Sequence, residues 1–148
     1  MKIQKNWSKY LLLVLIAFSI GACERDRLHP VPSIPFNTTI NLNLPSYQDL
    51  HNVGGYAYIS GIGSKGVVIY RRSVGELVAW DRHSPADEEG VCESGLFTNE
   101  DNFLVLDDPC SDAQFSLYDG SIIAGDVNWG LRQYRAELYG MDQVQIWN

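Results

Sequence analysis

Beyond residue 35 the apolar positions fall in short clusters rich in Val, Ile and Tyr, each bounded by Gly, Asn or Asp. That punctuation belongs to strands joined by turns. Ile40-Asn41-Leu42-Asn43-Leu44 alternates strictly, as does Tyr56-Ala57-Tyr58-Ile59-Ser60 at its aromatic positions, and a period of two places successive side chains on opposite faces of a sheet. Gly66-Val67-Val68-Ile69-Tyr70-Arg71 and Glu76-Leu77-Val78-Ala79-Trp80 flank Ser73-Val74-Gly75, which predicts a hairpin with a glycine-containing turn. Phe103 to Leu106, Ala113 to Tyr118, Gln133 to Leu138 and Gln143 to Trp147 continue the series, with turns at Asp119-Gly120 and at Gly140. Ser46 to His51 is the one helical candidate, too short to be stable alone. The pattern predicts a single all-β domain, a sandwich or barrel of short antiparallel strands.

The first residues follow a different logic. Lys2, Lys5 and Lys9 precede an apolar run, Leu11-Leu12-Leu13-Val14-Leu15-Ile16-Ala17-Phe18, and no acid occurs before Glu24. This is the layout of an export signal over residues 1–22, and the run is well short of the ~20 residues that cross a bilayer. Ile20-Gly21-Ala22-Cys23 resembles the cleavage site of bacterial lipoproteins, which implies that Cys23 becomes the first mature residue and carries lipid. Several acyl chains at ~0.8 kcal/mol per buried methylene hold a protein firmly on a membrane. Residues 23–35, polar and then punctuated by Pro30, Pro32 and Pro35, read as an extended tether, leaving residues 36–148 as the β domain. Glu24-Arg25-Asp26-Arg27 alternates in sign and lacks the acidic run that marks surface export in such lipoproteins, so the resemblance implies the periplasmic face of the outer membrane.

Charge narrows the partners. Three of eleven basic residues leave with the signal and all eighteen acids stay, so eight minus eighteen gives about −10 for the mature chain at neutral pH. Nucleic acid and anionic membrane surfaces select for the opposite sign, and a solvated, solubilising surface accounts for the acids. Cys92 and Cys110 remain as an even pair in a disulfide-permissive compartment, bonded or free on the count alone.

Two loops are more specific. The first reads Ala79-Trp80-Asp81-Arg82-His83-Ser84-Pro85-Ala86 and the second Asp108-Pro109-Cys110-Ser111-Asp112-Ala113-Gln114-Phe115. Both resemble the cluster loops of Rieske proteins, in which Cys-x-His and Cys-Pro-x-His-Gly-Ser-x-Phe hold a [2Fe-2S] centre through two thiolates and two imidazoles. Pro85, Pro109 and Phe115 set the register. The resemblance continues through Asp119-Gly120-Ser121-Ile122-Ile123-Ala124-Gly125 and Leu131-Arg132-Gln133-Tyr134, with Asp126 where the family carries proline. It extends to small exported Rieske-fold lipoproteins of Bacteroidetes. In this register Ser84 and Asp108 occupy the cysteine positions and Ala86 and Ser111 the histidine positions, so the resemblance implies the fold without its cofactor: neither alanine nor serine offers iron a soft ligand. It also implies a Cys92–Cys110 disulfide, because many Rieske proteins brace the two loops this way. Cys92 stands three residues later than the family spacing, so Asp87-Glu88-Glu89-Gly90 must loop out for the bond to close.

Other chemistry is thinner. His83, Asp87, Glu88, Glu89, Asp107, Asp108 and Asp112 could contribute to a metal site, but no known ligand spacing appears, and a solvated acidic loop is the expectation. His83 and Ser84 are neighbours that point apart, without the glycine-flanked elbow of a nucleophile. His29 and His51 read as surface histidines. Trp80, Trp147 and Phe115 read as core, whereas Trp129, in the Asp126-Val127-Asn128-Trp129-Gly130 turn, is a candidate for protein contact. The sequence thus predicts no catalytic residue, no cofactor and no metal, and a non-enzymatic accessory subunit of an envelope transport or secretion complex. An electron-transfer or metal protein with substituted ligands, and a small-molecule-binding lipoprotein, are the alternatives.

Overall fold

The computed structural model describes residues 29–148. The signal, the lipidation candidate Cys23 and the start of the tether lie outside them. The chain builds two antiparallel sheets. Strands β1 (Asn37–Asn41), β2 (Tyr56–Ile59), β3 (Val67–Ser73), β4 (Glu76–Asp81), β9 (Gln133–Tyr139) and β10 (Gln143–Trp147) form the larger sheet in the order β1-β10-β9-β4-β3-β2. Strands β5 (Phe97–Thr98), β6 (Val105–Asp107), β7 (Gln114–Ser116) and β8 (Ile122–Ala124) form the smaller one in sequence order. A 3₁₀ helix over Pro45–His51 occupies the one helical candidate and buries Leu50. Among the described residues no helix is long and apolar enough to cross a membrane.

The unbroken apolar run of β3 has a structural reason. Val67 and Ile69 face one core with Ile40, Leu42, Leu50, Ala57, Ile59 and Val144, while Val68 and Tyr70 face a second core with Leu106, Phe115 and Leu117. Its partner β4 divides likewise, Leu77 and Ala79 to the first core, Val78 and Trp80 to the second. A strand covered on both faces loses the apolar and polar alternation of a half-exposed one. The β3–β4 hairpin forms as expected, with Ser73 opposite Glu76 across Val74-Gly75. Trp80 donates its indole N–H to Leu117 O at 2.8 Å, tying β4 to the smaller sheet. Gly120, at φ 73°, lets the chain pass over that ring, where a Cβ would stand 2.7 Å from Trp80.

Boundaries differ where tertiary pairing decides. Strand β1 begins at Asn37 because it pairs with β10 from Asn37–Trp147 to Asn41–Gln143. The alternation beyond it breaks: Leu42 is buried, but Leu44 turns outward as the chain enters the 3₁₀ helix. Phe103 and Leu104 precede β6, and Phe103 instead stacks on Tyr56.

Residues 29–35 do not run free as a tether. Val31 is wholly buried and its carbonyl accepts from Arg132 Nε at 2.8 Å. The Asn148 side chain holds Ser33 Oγ and Ile34 O, each at 2.9 Å. The packed chain therefore starts before Phe36, because Val31 gains burial that an extended linker forgoes.

Candidate functional site

The two loops singled out by sequence lie side by side at the ends of β4 and β6. Asp81, at the end of β4, anchors the first. Its carboxylate is fully buried and accepts Ser64 N and Tyr134 Oη at 2.7 Å on Oδ2, and His83 N at 2.7 Å and Lys65 N at 3.3 Å on Oδ1. Such a set of donors makes a buried charge tolerable. Gly63, at φ 66°, allows the approach, since a Cβ there would meet Asp81 Oδ2 at 2.7 Å.

His83 is buried, with both ring nitrogens engaged: Nδ1 with Ser64 Oγ at 2.7 Å and Nε2 with Asp87 O at 2.9 Å. A carbonyl only accepts, so Nε2 carries the proton. His83 is therefore a loop anchor and no free ligand. The expected solvated acidic loop is only half right, too. Glu88 and Glu89 are exposed, but Asp87 is buried and accepts from Lys65 Nζ, from Val91 N at 2.9 Å and from Cys92 N at 3.1 Å. Burial pushes the Asp87 carboxyl up, and the Lys65 ammonium with the Cys92 and Val91 N–H groups outweighs it and holds the group below its ordinary value. Lys65 Nζ also donates to Cys92 O.

In the second loop Asp108 and Ser111 bond to each other. Asp108 Oδ2 accepts from Ser111 Oγ at 2.8 Å and Oδ1 from Cys110 N at 2.9 Å. Cys92 and Cys110 join the loops in a disulfide with a Cα separation of 6.0 Å. The displaced Cys92 reaches its partner because the intervening residues turn out and back, Asp87 N bonding Ser84 O and Gly90 N bonding Asp87 O, both at 3.0 Å. Ala86, Asp87, Val91, Cys92, Asp108, Cys110 and Ser111 line one cleft of about 230 Å³. Three of the four positions that the resemblance aligns with cluster ligands, Ala86, Asp108 and Ser111, thus border the same space. Ser84 is buried beside it, its Oγ accepting from Ala86 N at 3.2 Å.

A family model for the Rieske-like [2Fe-2S] domain matches residues 42–147. The chain belongs to that family. Among solved structures this Rieske-like chain is similar to one described as an NADH-dependent nitrite reductase small subunit from Mycobacterium tuberculosis, at 19% identity and a TM-score of 0.45, covering 78% of this chain and 97% of that one. No curated protein matches.

The family implies a [2Fe-2S] cluster, and the residues present do not fit one. A Rieske centre needs two thiolates and two imidazoles. The positions that the sequence resemblance aligns with the ligands offer a hydroxyl, a methyl, a carboxylate and a hydroxyl: Ser84, Asp108 and Ser111 are hydrogen-bonded as just described and Ala86 has no donor atom. The nearby sulfurs are bonded to each other and the His83 imidazole is taken at both nitrogens.

The other sequence candidates lie apart. Trp129 is half-buried, its ring 5.4 Å from that of His29. His29 is no plain surface histidine: Nε2 bonds Gly130 O at 2.9 Å and Nδ1 accepts Val31 N at 3.2 Å. Burial, helped by the Arg132 charge, holds the His29 imidazole below its ordinary value against the pull of the Gly130 carbonyl. The Ser64, Lys65 and Tyr134 roles were missed from sequence. Only the intact Leu131-Arg132-Gln133-Tyr134 stretch marked one of them.

Proposed function

We propose that this chain is a cluster-free Rieske-like lipoprotein, anchored through Cys23 to the periplasmic face of the outer membrane, and serves as a non-enzymatic accessory subunit of an envelope transport or secretion complex. The observation that carries the cluster-free part is the donor set: the positions that the family resemblance aligns with the ligands hold Ser84, Ala86, Asp108 and Ser111, none of them a thiol or an imidazole, and Ser111 Oγ donates to Asp108 Oδ2. The anchor rests on Ile20-Gly21-Ala22-Cys23, and the partner class follows from the membrane address and from Trp129 and the loop tips as contact surface. No nucleic acid partner is proposed for a chain so acidic.

Family membership favours one second reading, electron transfer through a centre held by substituted ligands. Visible absorption and an iron assay on the purified protein separate the two. The cluster-free reading expects no bound iron and no cluster absorbance, and stoichiometric iron would overturn it. Co-purification from detergent-solubilised membranes, with mass spectrometry, tests the accessory role, and Cys23→Ala is expected to abolish labelling by a fatty-acid analogue.

A further inference from the structure

Among the described residues, the sulfurs of Cys92 and Cys110 and a carboxylate oxygen of Asp108 lie within 4.8 Å of one another. We propose that these three groups form a redox-gated site for one soft divalent metal ion of the zinc class, closed while the disulfide is intact and opened by its reduction. This goes beyond the cluster-free reading and does not depend on the envelope role. Only Asp108 among its donors occupies a family ligand position.

The geometry is close to what such an ion needs. Tetrahedral zinc with Zn–S bonds of ~2.3 Å sets its donors roughly 3.8 Å apart. The Asp108 oxygen stands within 4.8 Å of both sulfurs, so small shifts suffice: reduction lets the two sulfurs separate by about 2 Å while the ion draws all three donors onto itself. Asp108 is also oriented in advance. Cys110 N holds Oδ1 and Ser111 Oγ holds Oδ2, which is the outer hydrogen bonding that fixes ligating carboxylates, and each oxygen keeps a further lone pair for a metal. Cys92 and Asp108 are buried whereas Cys110 is exposed, and the cleft of about 230 Å³ runs over all three. An ion can reach the site from that side, and a water can complete a fourth position.

Reduction balances with a dithiol as reductant. Its thiolate attacks the exposed Cys110 Sγ, the S–S bond breaks, and Cys92 leaves as the thiolate. The second reductant thiol then attacks the mixed disulfide and releases Cys110. Two electrons and two protons pass to the protein and the reductant ends as a disulfide. Binding of the ion displaces the two thiol protons.

The test uses Cd²⁺ as probe on the purified exported domain, either oxidised or reduced with a phosphine and desalted under anaerobic conditions. The reduced protein is expected to bind one equivalent with thiolate-to-metal charge-transfer absorbance, and the oxidised protein to show none. Asp108→Asn should weaken binding by at least about tenfold, whereas Glu89→Gln, at an exposed acid of the neighbouring first loop, should leave it unchanged. Reduction is expected to lower the melting temperature and Cd²⁺ to restore it, so a loosened reduced state still reports. Absence of charge-transfer absorbance with no thermal recovery would overturn the site, as would an Asp108→Asn variant that binds like wild type. Equal binding by oxidised and reduced protein would mean adventitious carboxylate binding only, and overturns it too.

Discussion

Tyr134 donates its phenol proton to Asp81 Oδ2 at 2.7 Å, linking β9 to the point where β4 becomes the first loop. Tyr134→Phe keeps the ring in the first core and removes one donor from a fully buried carboxylate. A hydrogen bond to a charged group contributes about 2 kcal/mol, so the variant should lose roughly that amount, read as a lower urea midpoint at unchanged slope. Burial first, then the Asp81 hydrogen bond and charge, push the Tyr134 phenol well above its ordinary value. The folded state therefore resists ionisation that the unfolded chain undergoes near pH ~10. This contribution is complete below that pH and is lost as pH rises beyond it. Tyr134→Phe is expected to show a shallower alkaline loss of stability than wild type.

Lys65 and Asp87 give a test with the opposite pH sense. Asp87 is held below its ordinary value in the fold, so its stabilising effect is present above pH ~4 and is lost as pH falls further. Removing the ammonium in Lys65→Met leaves a buried carboxylate with backbone donors only, at a cost of roughly 3 kcal/mol. In the variant, desolvation dominates and Asp87 takes up a proton at higher pH than in wild type. The gap between the two melting temperatures should accordingly be widest near pH 7 and narrow on acidification. A gap that widens toward low pH would contradict this account of the loop.

The contrast between legible and hidden features follows sequence distance. The β3–β4 and β9–β10 hairpins, the 3₁₀ turn and the two loops were visible because their signals are local: alternation, glycine and aspartate turns, and proline-set register. Strand β5 was not, since Phe97–Thr98 is too short to show a period, and β8, Ile122–Ala124, was marked only by the resemblance over Asp119 to Gly125. The site's polar supports were hidden for another reason. Ser64 meets His83 across 19 residues and Tyr134 meets Asp81 across 53, and nothing in a single sequence encodes such pairings. Asp87 looked like its neighbours Glu88 and Glu89, and only the loop's fold separates the buried acid from the solvated ones. The Cys92–Cys110 bond came from the resemblance and is formed in the structure.

His29 makes the seating of the leading segment sensitive to acid. Its Nε2–H donates to Gly130 O and its Nδ1 accepts Val31 N, so only the neutral ring serves both bonds. Because the folded imidazole lies below its ordinary value, the unfolded state takes up the proton first. Stability from this contact is present above pH ~6.5 and declines as pH falls below it. Limited proteolysis ahead of Phe36 should accelerate between pH 7.5 and pH 5.5 in wild type. His29→Gln is expected to flatten that dependence.

The disulfide carries the strongest mutational expectation. It closes a separation of 18 residues, and in the chain-entropy account a loop of that size contributes about 3 kcal/mol by restricting the unfolded state. Cys92 and Cys110 form the sole side-chain covalent tie between the two loops among the described residues. Cys92→Ser and Cys110→Ser should each lower the melting temperature by roughly 10 °C for a domain of this size. The double variant should be little worse than either single one, because both changes remove the same bond. A modest asymmetry is expected: Cys92 is buried and Cys110 exposed, so Cys92→Ser also buries a new hydroxyl that needs a hydrogen-bond partner. Differential scanning calorimetry of the three variants checks the pattern, and additive losses from the two single changes would mean that the cysteines stabilise the loops separately and not through their bond.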